Sequence, residues 1–347
     1  MDFRRSLLAQ AMVVDSRASV SLRAPARLHL GFLDPGASLG RRFGSLGLVI
    51  DGFETEVEIS AAPSALVSAR GAAERCEIER AQGWLHQLQR HSARPEPLHL
   101  RLLQVLAPHA GFGSGTQLAL AIARAFAQWH GLDVSTPRLA QWLGRGLRSG
   151  IGVAGFDQGG LLVDGGPGAN GEPAPVLSRV PLPAAWRVLV VQDSAQKGLS
   201  GAEERERIEA LAPLPRAQAA DICHQVLMRV LPGAAAAEFA PFAAGVTQIQ
   251  RVLGDYFAPA QGGHAYASAA VERVIGWIAA AEPGAALGQS SWGPTGFAIL
   301  PSEASALALV DALQAAQVVA PSLVLRIVAG RNTGALLQDR RPGMPGR

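Results

Sequence analysis

Gly111-Phe112-Gly113-Ser114-Gly115-Thr116-Gln117 sits where one hydrophobic spacing gives way to another. Before it, residues 98–106 are dense in leucine and read as a strand that leads through Pro108-His109-Ala110 into the glycines. After it, Leu118, Ile122, Ala125, Phe126 and Trp129 recur at helical spacing, and Gly131 is placed to end that helix in a left-handed cap. The glycines therefore mark a strand-to-helix turn. With no Cβ at 111, 113 and 115, backbone N–H groups can converge on one point while the helix behind them adds the positive end of its dipole. Such a turn suits phosphate, with Ser114 and Thr116 as hydroxyl donors. Taken alone, it is equally an ordinary helix start.

Upstream, residues 19–30 alternate: Val20, Leu22, Ala24, Leu28 and Leu30 against Ser21, Arg23, Arg27 and His29, which puts Arg27 and His29 on one strand face. A glycine-rich loop is expected over 31–47 and a second strand over 48–60, with Glu54, Glu56 and Glu58 on its wet side. A helix is expected over 75–92. Downstream, Ser135-Thr136-Pro137 reads as the cap and first turn of a helix reaching about residue 147. Short strands follow at 161–164 and 186–192. Further along, helices are expected at 202–211, 217–231, 266–281 and 303–317, and strands near 296–300 and 323–328.

At 347 residues the chain is long for one core, and roughly 150 residues per domain predicts two. The Pro-rich connection 165–183 is the natural boundary, giving 19–180 and 181–338, with flexible ends at 1–18 and 339–347. The mixture of helices and strands indicates an α+β fold. A net charge of +3, dispersed without runs of like charge, gives no case for nucleic acid, and no apolar run reaches the ~18 residues of a membrane span. Cys76 and Cys223, the two cysteines, fit reduced thiols of a cytoplasmic protein. The eight histidines lack metal-ligand spacing.

Four segments in order carry a resemblance. Ala24-Pro25-Ala26-Arg27-Leu28-His29-Leu30, the glycine turn, Ser149-Gly150-Ile151-Gly152 with Gly159-Gly160-Leu161, and 288–299 resemble the successive motifs of the GHMP small-molecule kinases. That resemblance implies a two-domain GHMP-kinase-like fold, with an N-terminal mixed sheet and a C-terminal ferredoxin-like α/β sandwich. It departs from the kinases at Arg27, where they carry a lysine, and at Gly152, where many carry the aspartate that receives a hydroxyl proton. An ATP-dependent kinase is thereby the alternative reading.

The departures are similar to those of one branch, the phosphoribosyl-transferring, decarboxylating synthases of tetrahydromethanopterin biosynthesis. The likeness lies in Arg148-Ser149-Gly150-Ile151-Gly152 and in Gln289-Ser290-Ser291-Trp292-Gly293-Pro294-Thr295-Gly296, besides the segments around Arg27 and Ser114. This resemblance implies a pentosyltransferase joining phosphoribosyl diphosphate to 4-aminobenzoate, or to 4-hydroxybenzoate, with release of diphosphate and carbon dioxide. It also implies Mg2+ accompanying the diphosphate, and a homodimer.

On this reading Gly111, Gly113, Ser114, Gly115, Thr116 and Gln117, with Ser290, Ser291 and Thr295, bind substrate or phosphate. Arg27, His29, Asp157 and Lys197 are the catalytic candidates, and no metal is assigned to the protein. Arg27 and His29 could meet the 5′-phosphate or the benzoate carboxylate. Asp157 serves either the magnesium of the diphosphate and the oxocarbenium ion, or a simple turn. Lys197 is the one lysine among 31 basic residues, which marks either a required point charge or chance. Trp292 either stacks on the aryl ring or packs in the core.

Overall fold

The computed structural model describes residues 18–168, 172–198 and 206–342. Two long strands, β1 (Val20–Asp34) and β2 (Phe43–Ala61), form the antiparallel hairpin on which everything else is assembled. The glycine-rich loop expected over 31–47 is mostly strand. Its glycines serve close packing inside the ladder: a Cβ at Gly47, which pairs with His29, would collide with Ile151, and one at Gly31 would collide with Leu253. Only 35–42 lie outside the two strands.

β2 is long enough to serve two neighbours. Its C-terminal part pairs with β4 (Leu98–Gln104), which is joined in parallel by β3 (Leu66–Ala69); its N-terminal part pairs with β5 (Leu161–Asp164), beyond which lies β6 (Val176–Val180). Burial from both sides corrects the expected wet face. Glu58 is buried, accepts a hydrogen bond from Ser19 Oγ at 3.0 Å and pairs with Arg101 directly across the ladder.

Helices α1 (Ile78–Ser92) and α2 (Ser114–Trp129) pack on this sheet through Leu85, Leu88, Leu118, Ile122 and Phe126. α3 (Thr136–Trp142) stops five residues short of the expected 147, because Gly144 and Gly146 take φ values of 63° and 79° and turn the chain out of the helix. α4 (Ile151–Gln158) follows.

The chain then changes sheets. β7 (Arg187–Asp193), β8 (Ala286–Gln289), β9 (Thr295–Leu300) and β10 (Leu323–Ala329) form an antiparallel sheet of order β10-β7-β9-β8. Alternation along β7 decides its two coats. Leu189 and Val191 face α7 (Ala269–Ala281) and α8 (Glu303–Ala315), each capped by a serine, Ser268 or Ser302. Val188 and Val190 face α5 (Arg216–Gln225) and α6 (Phe239–Phe257), linked by a π-helical turn (Val226–Val230) and a short helix (Leu231–Ala235). That second core also contains Leu28, Leu30, Leu46 and Leu48, so the two halves share buried surface.

The end of the chain departs from the expected division. β11 (Leu336–Asp339) returns to pair with β1, Arg340 N donates to Ser19 O at 2.8 Å, and Arg341 bonds Asp339 and the Trp129 carbonyl. Residues 340–341 are thus tied to the first domain, while 1–17, 343–347 and the first part of the expected helix at 202–211 lie outside the described residues. Among the described residues no helix is long and apolar enough to cross a membrane.

Candidate active site

Where the hairpin, the start of α2 and the β8–β9 turn meet, a cleft of about 630 Å³ opens. Among the described residues four arginines line it, Arg27 from β1, Arg80 from α1, and Arg145 and Arg148 from the loop before α4, and no carboxylate does. This is the electrostatic signature of a site for a multiply charged anion.

Gly111 and Gly113 have φ values of 92° and 76°, which glycine adopts at no steric cost. The missing side chains leave room for guanidinium groups, a tighter arrangement than a bare nest of N–H groups. A Cβ at Gly113 would lie 3.0 Å from Arg27 Cζ, and one at Gly115 would lie 2.8 Å from an Arg80 nitrogen. Three of the four arginines are held from behind. Arg27 donates to the Gly111 carbonyl at 2.7 Å, Arg80 to the buried Glu77 at 2.8 and 3.0 Å, and Arg80 and Arg145 both stack on Trp84, 5.0 and 4.9 Å from its ring. Burial, then the neighbouring Arg80, holds Arg145 below the ordinary guanidinium value, a cost that a bound anion relieves.

The 144–149 loop is anchored by one carboxylate beneath it. Asp164, fully buried, accepts from Gly150 N at 2.8 Å, Gly166 N at 2.8 Å and Ser149 Oγ at 3.2 Å. His29 presents a different chemistry. Burial first, and then Arg27 and Arg148, hold its pKa down to about 3, so at neutral pH it is an uncharged imidazole with one donor and one acceptor nitrogen.

Of the residues singled out in the sequence, Arg27, His29, Gly111, Gly113, Ser114, Gly115, Thr116 and Ser291 line the cleft. Others stand behind it. Gln117 is buried and donates to the Gly152 carbonyl at 2.8 Å, bracing α4 against α2. Ser290 accepts from His29 N at 3.0 Å and donates to Gly111 O at 2.7 Å, stitching the strand to the glycine turn. Thr295 is fully buried in β9. Asp157 lies at the far end of α4, accepting from Thr136 Oγ1 at 2.6 Å. Lys197 is exposed and outside the lining, although Gly198 beside it donates to the His109 carbonyl at the rim. Gly152 does line the cleft, where a Cβ would come within 3.1 Å of Thr116.

Arg80, Arg145, Phe32 and Leu147 were not nominated from sequence. The run Gly144-Arg145-Gly146-Leu147-Arg148, two arginines between glycines, is the signal that could have found half of them. Arg80 carries none, since an arginine three residues after a glutamate on a helix reads as a surface ion pair.

The donors in this cleft do not suit a protein-held magnesium. A hard cation takes carboxylates, and among the described residues the lining's side-chain oxygens are the hydroxyls of Ser114, Thr116, Ser149 and Ser291. Among the described residues no group of three or more potential metal ligands occurs anywhere.

Residues 79–161 match the GHMP kinases N terminal domain and residues 234–319 match the GHMP kinases C terminal family. The chain is 32% identical to the beta-ribofuranosylphenol 5'-phosphate synthase of Archaeoglobus fulgidus, over 82% of this chain and 89% of the relative. It is 28% identical to the protein of the same name from Methanothermobacter thermautotrophicus, over 91% and 98%. Among solved structures it resembles the homoserine kinase of Cytophaga hutchinsonii (TM-score 0.64, 15% identity, 93% of this chain and 98% of that one). It also resembles the phosphomevalonate kinase of Streptococcus pneumoniae (TM-score 0.65, 11% identity, 90% and 100%).

Proposed function

We propose, from the premise that this chain belongs to the family of the beta-ribofuranosylphenol 5'-phosphate synthases on a GHMP-kinase fold, that it joins the ribosyl carbon of phosphoribosyl diphosphate to a 4-substituted benzoate with loss of diphosphate and carbon dioxide. The observation that carries the reading is the cleft with four arginines and, among the described residues, no carboxylate. A leaving diphosphate gains negative charge as its bond to C1 of the ribose breaks, and preorganised guanidinium groups stabilise that charge where it develops. Arg27, Arg80 and Arg145, with the Ser114 and Thr116 hydroxyls, receive the diphosphate.

The ring carbon bearing the carboxylate forms the new bond to C1 and the diphosphate leaves with the electron pair. Loss of carbon dioxide then returns the electron pair of the broken C–C bond to the ring and restores aromaticity. No phosphoryl group moves, so no carboxylate is needed at Gly152. The name of the relatives specifies a phenol, which favours 4-hydroxybenzoate over 4-aminobenzoate as acceptor. Magnesium belongs to the donor as its complexed cation. The reading extends to an early step of tetrahydromethanopterin biosynthesis by a homodimer in the cytoplasm, since so highly charged a donor does not cross a bilayer.

An ATP-dependent kinase is the weaker reading, because the cleft offers no carboxylate base among the described residues and Gly152 stands where many of the kinases carry one. The two separate in one assay. With phosphoribosyl diphosphate and 4-hydroxybenzoate the protein releases diphosphate and forms a C-riboside; ATP hydrolysis dependent on an alcohol, without either product, overturns the proposal.

A further inference from the structure

The cleft has two chemical poles. Arg80, Arg145, Gly113, Ser114 and Thr116 make one; His29, Phe32, Ser291 and Trp292 make the other. These last four also wall a second, smaller cavity of about 30 Å³, closed behind them by Leu253 and Phe257 and by the uncharged Gln250, Gln261 and Gln289. The partition is rigid and aromatic. The His29 and Phe32 rings meet edge to face at 4.6 Å, and Trp292 packs against Phe257 at 5.0 Å. His29 is 4% exposed and Trp292 2%, yet neither His29 Nε2 nor Trp292 Nε1 has a hydrogen-bond partner among the described residues. Buried polar atoms without partners are uncommon in folded proteins, and at a site they point to a ligand group.

Size decides where an aromatic ligand lies. A cavity that admits benzene measures about 150 Å³, so the rear cavity holds little more than a water molecule. The ring must lie in the main cleft, against the partition.

We propose that His29, Phe32 and Trp292 form the acceptor subsite, in which the aryl ring of a 4-hydroxybenzoate lies against Trp292 and Phe32 while His29 Nε2 accepts the hydrogen bond of its hydroxyl and takes that proton as the ring attacks. This rests on the function proposed above. The hydroxyl proton passes to Nε2, the para ring carbon bonds to C1 of the ribose, and diphosphate leaves with the electron pair. The resulting dienone loses carbon dioxide, and the phenolate so formed recovers the proton from His29. Atoms and charge balance, with the carboxylate's negative charge ending on diphosphate.

Only a neutral imidazole can serve, and its surroundings keep it neutral. Among the described residues the charged and titratable groups facing this region of the cleft are Arg27 on its own strand, Arg148 and Arg145 from the 144–149 loop, Arg80 from α1 and His109 from the glycine turn, while α6 contributes the uncharged Gln250, Leu253, Gly254 and Phe257. Burial is the larger cause of the low basicity of His29, and a diphosphate held by Arg27 neutralises one of the two arginines that add to it, so the base gains strength once the donor is in place. Donor binding thereby precedes acceptor activation.

The test is His29→Asn in the full-length enzyme, read by calorimetric affinity for phosphoribosyl diphosphate and by kcat against pH with 4-hydroxybenzoate. Expected are donor affinity within about twofold of the wild type and a kcat near neutrality lowered about 100-fold. The variant's kcat should then climb about tenfold per pH unit toward the range near 10 where phenols ionise, while the wild type stays level. Trp292→Phe, which keeps a ring and removes the N–H, should raise KM for the benzoate and leave donor affinity alone. A His29→Asn profile parallel to the wild type, or a large loss of donor affinity, overturns the assignment while turnover by the wild type leaves the functional reading standing. No turnover by the wild type overturns both.

Discussion

At the level of single residues, the arginines of the cleft do not make equally good probes. Removing Arg80 leaves the buried Glu77 without its ion-pair partner, so activity and stability fall together. Among the described residues Arg145 has no ion-pair partner to strand, only the Trp84 ring on which it stacks. Arg145→Ala is expected to lower kcat/KM for phosphoribosyl diphosphate about 100-fold with a melting temperature within a few degrees of the wild type, measured by kinetics and calorimetry. Glycines offer a matched pair. Gly113 and Gly131 both have left-handed φ, but a Cβ at Gly113 meets Arg27 and one at Gly131 meets nothing within 4 Å. Both alanine variants should lose about 1–2 kcal/mol of stability, and only Gly113→Ala should also lose donor affinity.

His29 carries a pH signature in stability as well. Its native pKa of about 3 lies below the 6.5 of the unfolded chain, so between these values the unfolded state binds a proton that the native state does not. Stability is complete above pH 6.5 and declines as pH falls toward 3. By pH 4.5 this amounts to roughly 2–3 kcal/mol, a loss that His29→Asn should abolish in urea unfolding at the two pH values. The glycine turn was legible in the sequence because turn chemistry is local. The neutral state of His29 was not, since it depends on burial and on Arg148, more than a hundred residues away.

At the level of elements, the site depends on a loop held by one carboxylate. Asp164 ends β5 and collects donors from Ser149, Gly150 and Gly166, which fixes the segment bearing Arg145 and Arg148. Asp164→Ala leaves buried N–H groups unpaired and should cost on the order of 3 kcal/mol, with donor affinity lost in whatever fraction remains folded. Unchanged affinity would detach the loop from the site. Strands and helices with clear periodicity were readable, whereas the strand content of 31–47 was hidden because glycine signals a turn and a close approach with the same letter. Helix α3 shows the converse: its apolar spacing runs on toward 147, and only the left-handed glycines at 144 and 146 stop it.

At the level of the whole molecule, the two sheets are joined by a core in which Leu28, Leu30, Leu46 and Leu48 of the hairpin meet Val188, Val190, Phe242 and Phe297 of the second half. Their shared burial predicts a single calorimetric unfolding transition, and two separated transitions would show that the halves fold independently. The order of motifs along the chain made the fold class legible, but the return of β11 to β1 was not, because a four-residue strand has no periodicity long enough to read. The same joined architecture brings β1, α1, α2 and the β8–β9 turn to one cleft, where the proposed reaction makes a C–C bond at the cost of a carboxylate. Carboxyl-labelled 4-hydroxybenzoate, supplied with phosphoribosyl diphosphate, should yield one labelled carbon dioxide for each diphosphate released, and a product that retains the label would exclude this reaction.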